Sequence, residues 1–148
     1  MKKIFFIKIF IIYLLLISSA VAAQSNYLEE GIKLYQNKKF DESKILFERD
    51  LVFNPKSERS YLYLAKIFNE SNNDEELEVN LNNVLLINPQ NDEAIYMLAL
   101  LKIKQSDYDE VKELIKKFIL VCTSLCSKET EIQEKLDKLI PENAKDNN

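Results

Sequence analysis

A shift of 34 residues lays this chain over itself. Asn54-Pro55 falls on Asn88-Pro89, Gly31 falls on Ala65 and then on Ala99, and Phe47 falls on Leu81 and Ile115. Tyr27 meets Tyr61 and Ile95, Glu42 meets Glu76 and Glu110, and Phe40 meets Tyr108. Agreement at so many fixed offsets marks an internal repeat. A period in this range belongs to units that cannot bury their apolar faces alone and that stack to share one extended core.

Within a unit the spacing is helical. Tyr27, Leu28, Gly31, Ile32, Leu34 and Tyr35 recur at three- and four-residue steps, the stripe of an amphipathic helix. A second stripe follows in Ile45, Leu46, Phe47, Leu51, Val52 and Phe53. Asn37-Lys38-Lys39 makes the turn between them, and Asp41 and Glu42 place negative charge in the next first turn, where the helix dipole favours it. Ser71-Asn72-Asn73-Asp74 and Gln105-Ser106-Asp107 take the same place in the second and third units. Each Asn-Pro restricts the residue before the proline and ends the preceding helix. An antiparallel helix pair per unit follows. Gly31, Ala65 and Ala99 share one repeat position, where a small side chain lets two helices approach.

The period, the small residue in the first half-unit and the proline after the second half resemble the tetratricopeptide repeat (TPR). The resemblance runs from Gln24 to about Cys126 and is carried by Tyr27, Gly31, Phe40, Phe47 and Pro55 in the first unit. Tyr61, Leu64, Ala65, Phe68, Leu81 and Pro89 match in the second, and Ile95, Leu98, Ala99, Tyr108 and Ile115 in the third. Ser43 and Leu77 stand where the family usually has Ala, Lys102 where it has an apolar residue, and Thr123 where it has the closing Pro. The fold this implies is an all-α, right-handed α-solenoid of about three helix-turn-helix units, over 24–57, 58–91 and 92–125. Gly31, Ala65, Ala99, Phe47, Leu81 and Ile115 would pack the repeats.

Two segments flank the repeats. Lys2, Lys3 and Lys8 precede an apolar run from Ile9 to Ile17, then Ser18-Ser19-Ala20-Val21-Ala22-Ala23. A basic end, a short apolar stretch and small residues before a cleavage point spell a secretory signal over 1–23, cut after Ala22 or Ala23. A retained membrane anchor is the alternative, although the run is shorter than the roughly 20 residues a spanning helix needs. The expected location is the bacterial periplasm or the cell exterior, with the membrane a partner only if the segment is retained. At the other end Ser127 offers an N-cap, Glu129 and Glu131 a negative first turn, and Ile132, Leu136, Leu139 and Ile140 an apolar stripe before Pro141. This predicts a capping helix over about 128–140 that closes the 24–140 domain, with a disordered tail over 141–148. Exchange of that helix with a second copy would instead give a homodimer.

Absences limit the chemistry. The chain has no His, no Trp and one Gly, which removes ordinary triads, histidine bases and Gly-rich phosphate loops. Without the leader, 17 basic residues face 24 acidic ones, a poor balance for nucleic acid. Glu29-Glu30, Glu75-Glu76 and Asp109-Glu110 are solvated helix faces or first turns, since neighbouring residues on a helix do not face one another. No enzyme, cofactor or metal is expected. Cys122 and Cys126, the only cysteines, most simply form a disulfide in an exported chain, closing a small loop worth about 2 kcal/mol. A redox-active or soft-metal dithiol is the alternative, for on a continuous helix the two would share a face.

Function therefore belongs to the surface that stacking creates. In the TPR family the first helix of each unit lines a concave groove, which by alignment places there Leu28, Ile32 and Tyr35, then Leu62, Lys66 and Asn69, then Tyr96, Leu100 and Ile103. The list is mainly apolar and lacks a paired Lys and Arg clamp, with Lys66 and Lys104 the obvious cations. It predicts a non-enzymatic adaptor that takes an apolar or amphipathic helical segment of a protein partner. Self-association through the same patch is the rival.

Overall fold

The computed structural model describes residues 26–139; the expected leader over 1–23, the tail over 141–148 and Ile140 lie outside them. Seven α-helices follow in order: α1 (Asn26–Gln36), α2 (Phe40–Phe53), α3 (Glu58–Glu70), α4 (Asp74–Ile87), α5 (Asp92–Lys104), α6 (Tyr108–Val121) and α7 (Glu129–Leu139), the last preceded by a short 3-10 turn, Cys126–Lys128. Among the described residues there is no strand. Packing divides the chain into two compact units, Met1–Tyr63 and Leu64–Asn148, so that α3 contributes its first turns to one and its remainder to the other.

The turn inside each helix pair is built the same way three times. Lys38, Asn72 and Ser106, each 34 residues from the next, take φ values of 59°, 55° and 62°. Around them the amide of Lys39 donates to the Leu34 carbonyl, that of Asn73 to Phe68 and that of Asp107 to Lys102, all at 2.9 Å. The amides of Lys38, Asn72 and Ser106 donate to Tyr35, Asn69 and Ile103. This paired pattern with one left-handed residue is the Schellman stop, which satisfies the last carbonyls of the helix. The next helix then starts at once. Asn73 and Asp107 accept from the amides of Glu76 and Glu110, whereas Lys39, at the same position, provides no side-chain cap.

In the first unit, α1 packs against α2 around Gly31 and Phe47, and Phe47 is fully buried. The Phe47 ring stacks on Tyr63 with centroids 5.0 Å apart, and Tyr35 contacts both Phe40 and Tyr63. The buried arc of α2 is Ser43, Phe47 and Asp50, at helical steps of four and three. Both polar members are satisfied: the Ser43 hydroxyl donates to the Gly31 carbonyl at 2.8 Å, and Asp50 accepts from the Ser60 hydroxyl, which in turn accepts from Ser57. Ile45 and Val52 lie two and nine positions on from Ser43, about half a turn round the helix. That is why Ile45 and Val52, expected in the apolar stripe, are exposed; Phe53, expected there too, is also exposed and stacks on Tyr27 at the end of the helix.

In the second unit α5 is the central helix, packed on α4, α6 and α7. Its Asp92, Ala94, Ile95, Leu98, Ala99, Leu101 and Lys102 are buried, so little of its circumference faces water. Facing residues Leu81, Val84, Val111, Phe118 and Ile132 are all fully buried. The C-terminal helix α7 presents Ile132 and Leu136 to this core, while Leu139 is 46% exposed and does not join the stripe expected of it. Ser127 lies within the 3-10 turn and not at a helix N-cap.

Candidate functional site

The nine first-helix positions are mostly half-buried and fall in both units. In the first unit Ile32 is buried, and Leu28, Tyr35 and Leu62 are half-buried. Tyr35 is committed to its ring contacts with Phe40 and Tyr63. In the second, Leu100 and Ile103 are half-buried and Asn69 is exposed. Lys66 forms an ion pair with Glu93 at 2.9 Å and Lys104 one with Asp74 at 2.7 Å, so neither expected cation stands alone. Tyr96 packs on Phe118, and its hydroxyl donates to Glu131 of α7 at 3.0 Å. The Lys128 ammonium lies 5.7 Å from the centre of the same ring and pairs with Glu131 at 2.7 Å. Burial, then the hydrogen bond to the Glu131 carboxylate, push the Tyr96 phenol above its usual range, while Lys128 holds Glu131 below its own.

A second constellation surrounds the cysteines. Cys122 and Cys126 are bonded, with Cα atoms 5.2 Å apart. They do not lie on one continuous helix: α6 stops at Val121, and Thr123, Ser124 and Leu125 form an open loop between the sulfurs. Asp92, at the start of α5, reaches into that loop. Its Oδ2 accepts from the amides of Thr123, Ser124 and Leu125 at 2.9, 2.8 and 3.2 Å, and from the hydroxyls of Thr123 and Ser124. Burial opposes ionisation of Asp92, but the three backbone donors outweigh it and bring its pKa down to about 2. Nothing in the sequence marks Asp92 out, because Glu58 stands at the equivalent place in the preceding repeat and both pass as ordinary first-turn acids.

Exposed apolar side chains concentrate on the second helices. Val52, Leu86 and Leu120 share one repeat position and are 76%, 81% and 84% exposed. Among the described residues, no group of three or more His, Cys, Asp or Glu is placed to hold a metal ion.

No protein-family model matches the sequence, and no curated protein does. Solved structures do. The Sgt2 TPR domain from Aspergillus fumigatus superposes with a TM-score of 0.66 at 18% identity, over 78% of this chain and 80% of that one. A chain of the CopN-Scc3 complex gives 0.63 at 14% identity, over 79% of this chain and 69% of its own. The chain has the tetratricopeptide-repeat fold.

Departures from the usual TPR pattern now have physical accounts. Ser43 bonds the Gly31 carbonyl. Leu77 is buried as a larger apolar residue. Lys102, in an apolar TPR position, is buried yet bonded to Glu78 at 2.6 Å and Glu110 at 3.1 Å. Burial would lower its pKa, but those two carboxylates prevail and raise it; Lys102 and Gln105 in return lower that of Glu78. Thr123, in place of the TPR proline, supplies an amide that proline lacks, and Asp92 accepts from it.

Proposed function

We propose that the chain is a non-enzymatic protein-interaction module, and that the first-helix face takes an apolar or amphipathic helical segment of a partner protein. The observation that carries this is the side-chain set of the first helices: Leu28, Leu62, Leu100 and Ile103 each keep part of their surface in water. Export to the periplasm or beyond, with 1–23 removed, is part of the same proposal. The basic and apolar leader pattern supports it, and a disulfide suits an oxidising compartment.

Tyr35 and Tyr96 are poor probes of this face, because each also holds the protein's own packing. Photo-crosslinking side chains placed at Leu28 and Leu100, with Val52 and Leu86 as comparison positions, test it in the native cell envelope. Partner crosslinks at the first pair and not the second support the first-helix face. Partner crosslinks confined to Val52 and Leu86 move recognition to the second helices, and crosslinks only between copies of the chain make the face a self-association surface.

A further inference from the structure

The loop between the cysteines joins α6 to α7, and everything that fastens it converges there. Its three amides are held by Asp92 of α5, its ends by the Cys122–Cys126 bond, and its exit by the 3-10 turn that carries Lys128 to Glu131 and the Tyr96 ring. Beyond it α7 is short, contributes Ile132 and Leu136 as its buried apolar residues, and hydrogen-bonds a proposed docking residue, Tyr96. A helix of 11 residues anchored by two apolar side chains depends on tertiary contacts to stay folded. Cys126 is an exposed residue and Cys122 a half-buried one, so Cys126 is the readier target for an attacking thiolate.

We propose that the Cys122–Cys126 bond and Asp92 form a redox-sensitive latch: reduction frees the loop and releases α7 from Tyr96, opening the third unit's part of the docking face. This rests on the first-helix face being the binding surface. The reductant is a dithiol. One of its thiolates attacks the Cys126 sulfur, forming a mixed disulfide and expelling Cys122 as a thiolate that takes up a proton. Its second thiol then displaces Cys126, so the dithiol leaves oxidised as a disulfide and the protein carries two thiols. The disulfide closes the loop in the geometry that Asp92 reads, so each contact strengthens the other, and loss of either favours the open state.

Amide hydrogen exchange of the full chain, oxidised and after treatment with dithiothreitol, tests the latch. Exchange over 123–139 is expected to rise at least tenfold on reduction while α4, α5 and α6 keep their protection. The oxidised Asp92→Asn variant should show a smaller rise over the same residues, and an unreduced Cys122→Ser, Cys126→Ser variant should match the reduced wild type. Equal exchange in both redox states overturns the latch, as does a uniform rise through α4 to α6, which would make the bond a staple of the whole unit. Local opening with no partner crosslinking at Leu100 in either redox state would leave the latch standing and sink the assignment of the docking face instead.

Discussion

A methyl group placed on Gly31 would lie 2.7 Å from Cε1 of Phe47, closer than two carbon atoms can approach without one of them moving. The repeats show how that volume is shared. Gly31 is matched with Phe47, whereas the larger Ala65 and Ala99 occur in units that carry the smaller Leu81 and Ile115 at the Phe47 position.

Gly31→Ala should therefore destabilise the protein, by about 1–3 kcal/mol for an overpacked core, despite the better helix propensity of Ala. Phe47→Leu in the same chain should recover part of the loss. A double-mutant cycle from urea midpoints checks this: a coupling near zero would mean that the ring moves aside freely.

Among the described residues three non-glycine side chains sit in left-handed backbone, and only Asn72 is of a type that tolerates it well. Lys38→Gly should stabilise by about 0.5 kcal/mol, since relief at φ 59° outweighs the greater freedom of glycine in the unfolded chain. Lys38→Val should lower the denaturation midpoint, because branching at Cβ makes that backbone worse. The unfolding slope should stay unchanged in both.

Lys39 occupies the place where Asn73 and Asp107 cap their helices. Lys39→Asn should add the missing acceptor for the start of α2 and stabilise by about 1 kcal/mol, with the exposed ion pair to Glu42 a small loss against it. Thermal melts of the variant and the wild type decide the sign.

Asp92 makes the loop acid-sensitive. Its folded pKa of about 2 lies below the usual 3.8, so the folded state favours the ionised form. That stability is fully present above the unfolded-state value and is lost as pH falls towards about 2, an effect of roughly 2 kcal/mol. Urea titrations should show stability falling over this interval in the wild type, and a shallower fall in Asp92→Asn. Parallel curves would mean that the loop amides find other acceptors.

The 34-residue repeat, the all-α class and a small residue at position 31 were legible in the order of residues. Those follow from periodic signals, and period survives translation into any fold that stacks like units. Which face of each helix would be buried was less legible. Ser43 and Asp50 lie in the core because Gly31 and Ser60 offer them partners, and Ile45 and Val52 lie outside because they share α2 with that arc.

The remainder depends on contacts between residues far apart in the chain. Lys102 is buried because Glu78 and Glu110 come from two other helices to meet it. Tyr96 is both a candidate docking residue and the anchor of α7, through a carboxylate 35 positions away. Asp92 gathers donors 31 to 33 positions distant, and nothing in its immediate neighbours announces them. Local pattern reports how a helix begins, turns and ends, whereas the burial of a charge depends on partners that only folding brings within hydrogen-bond reach.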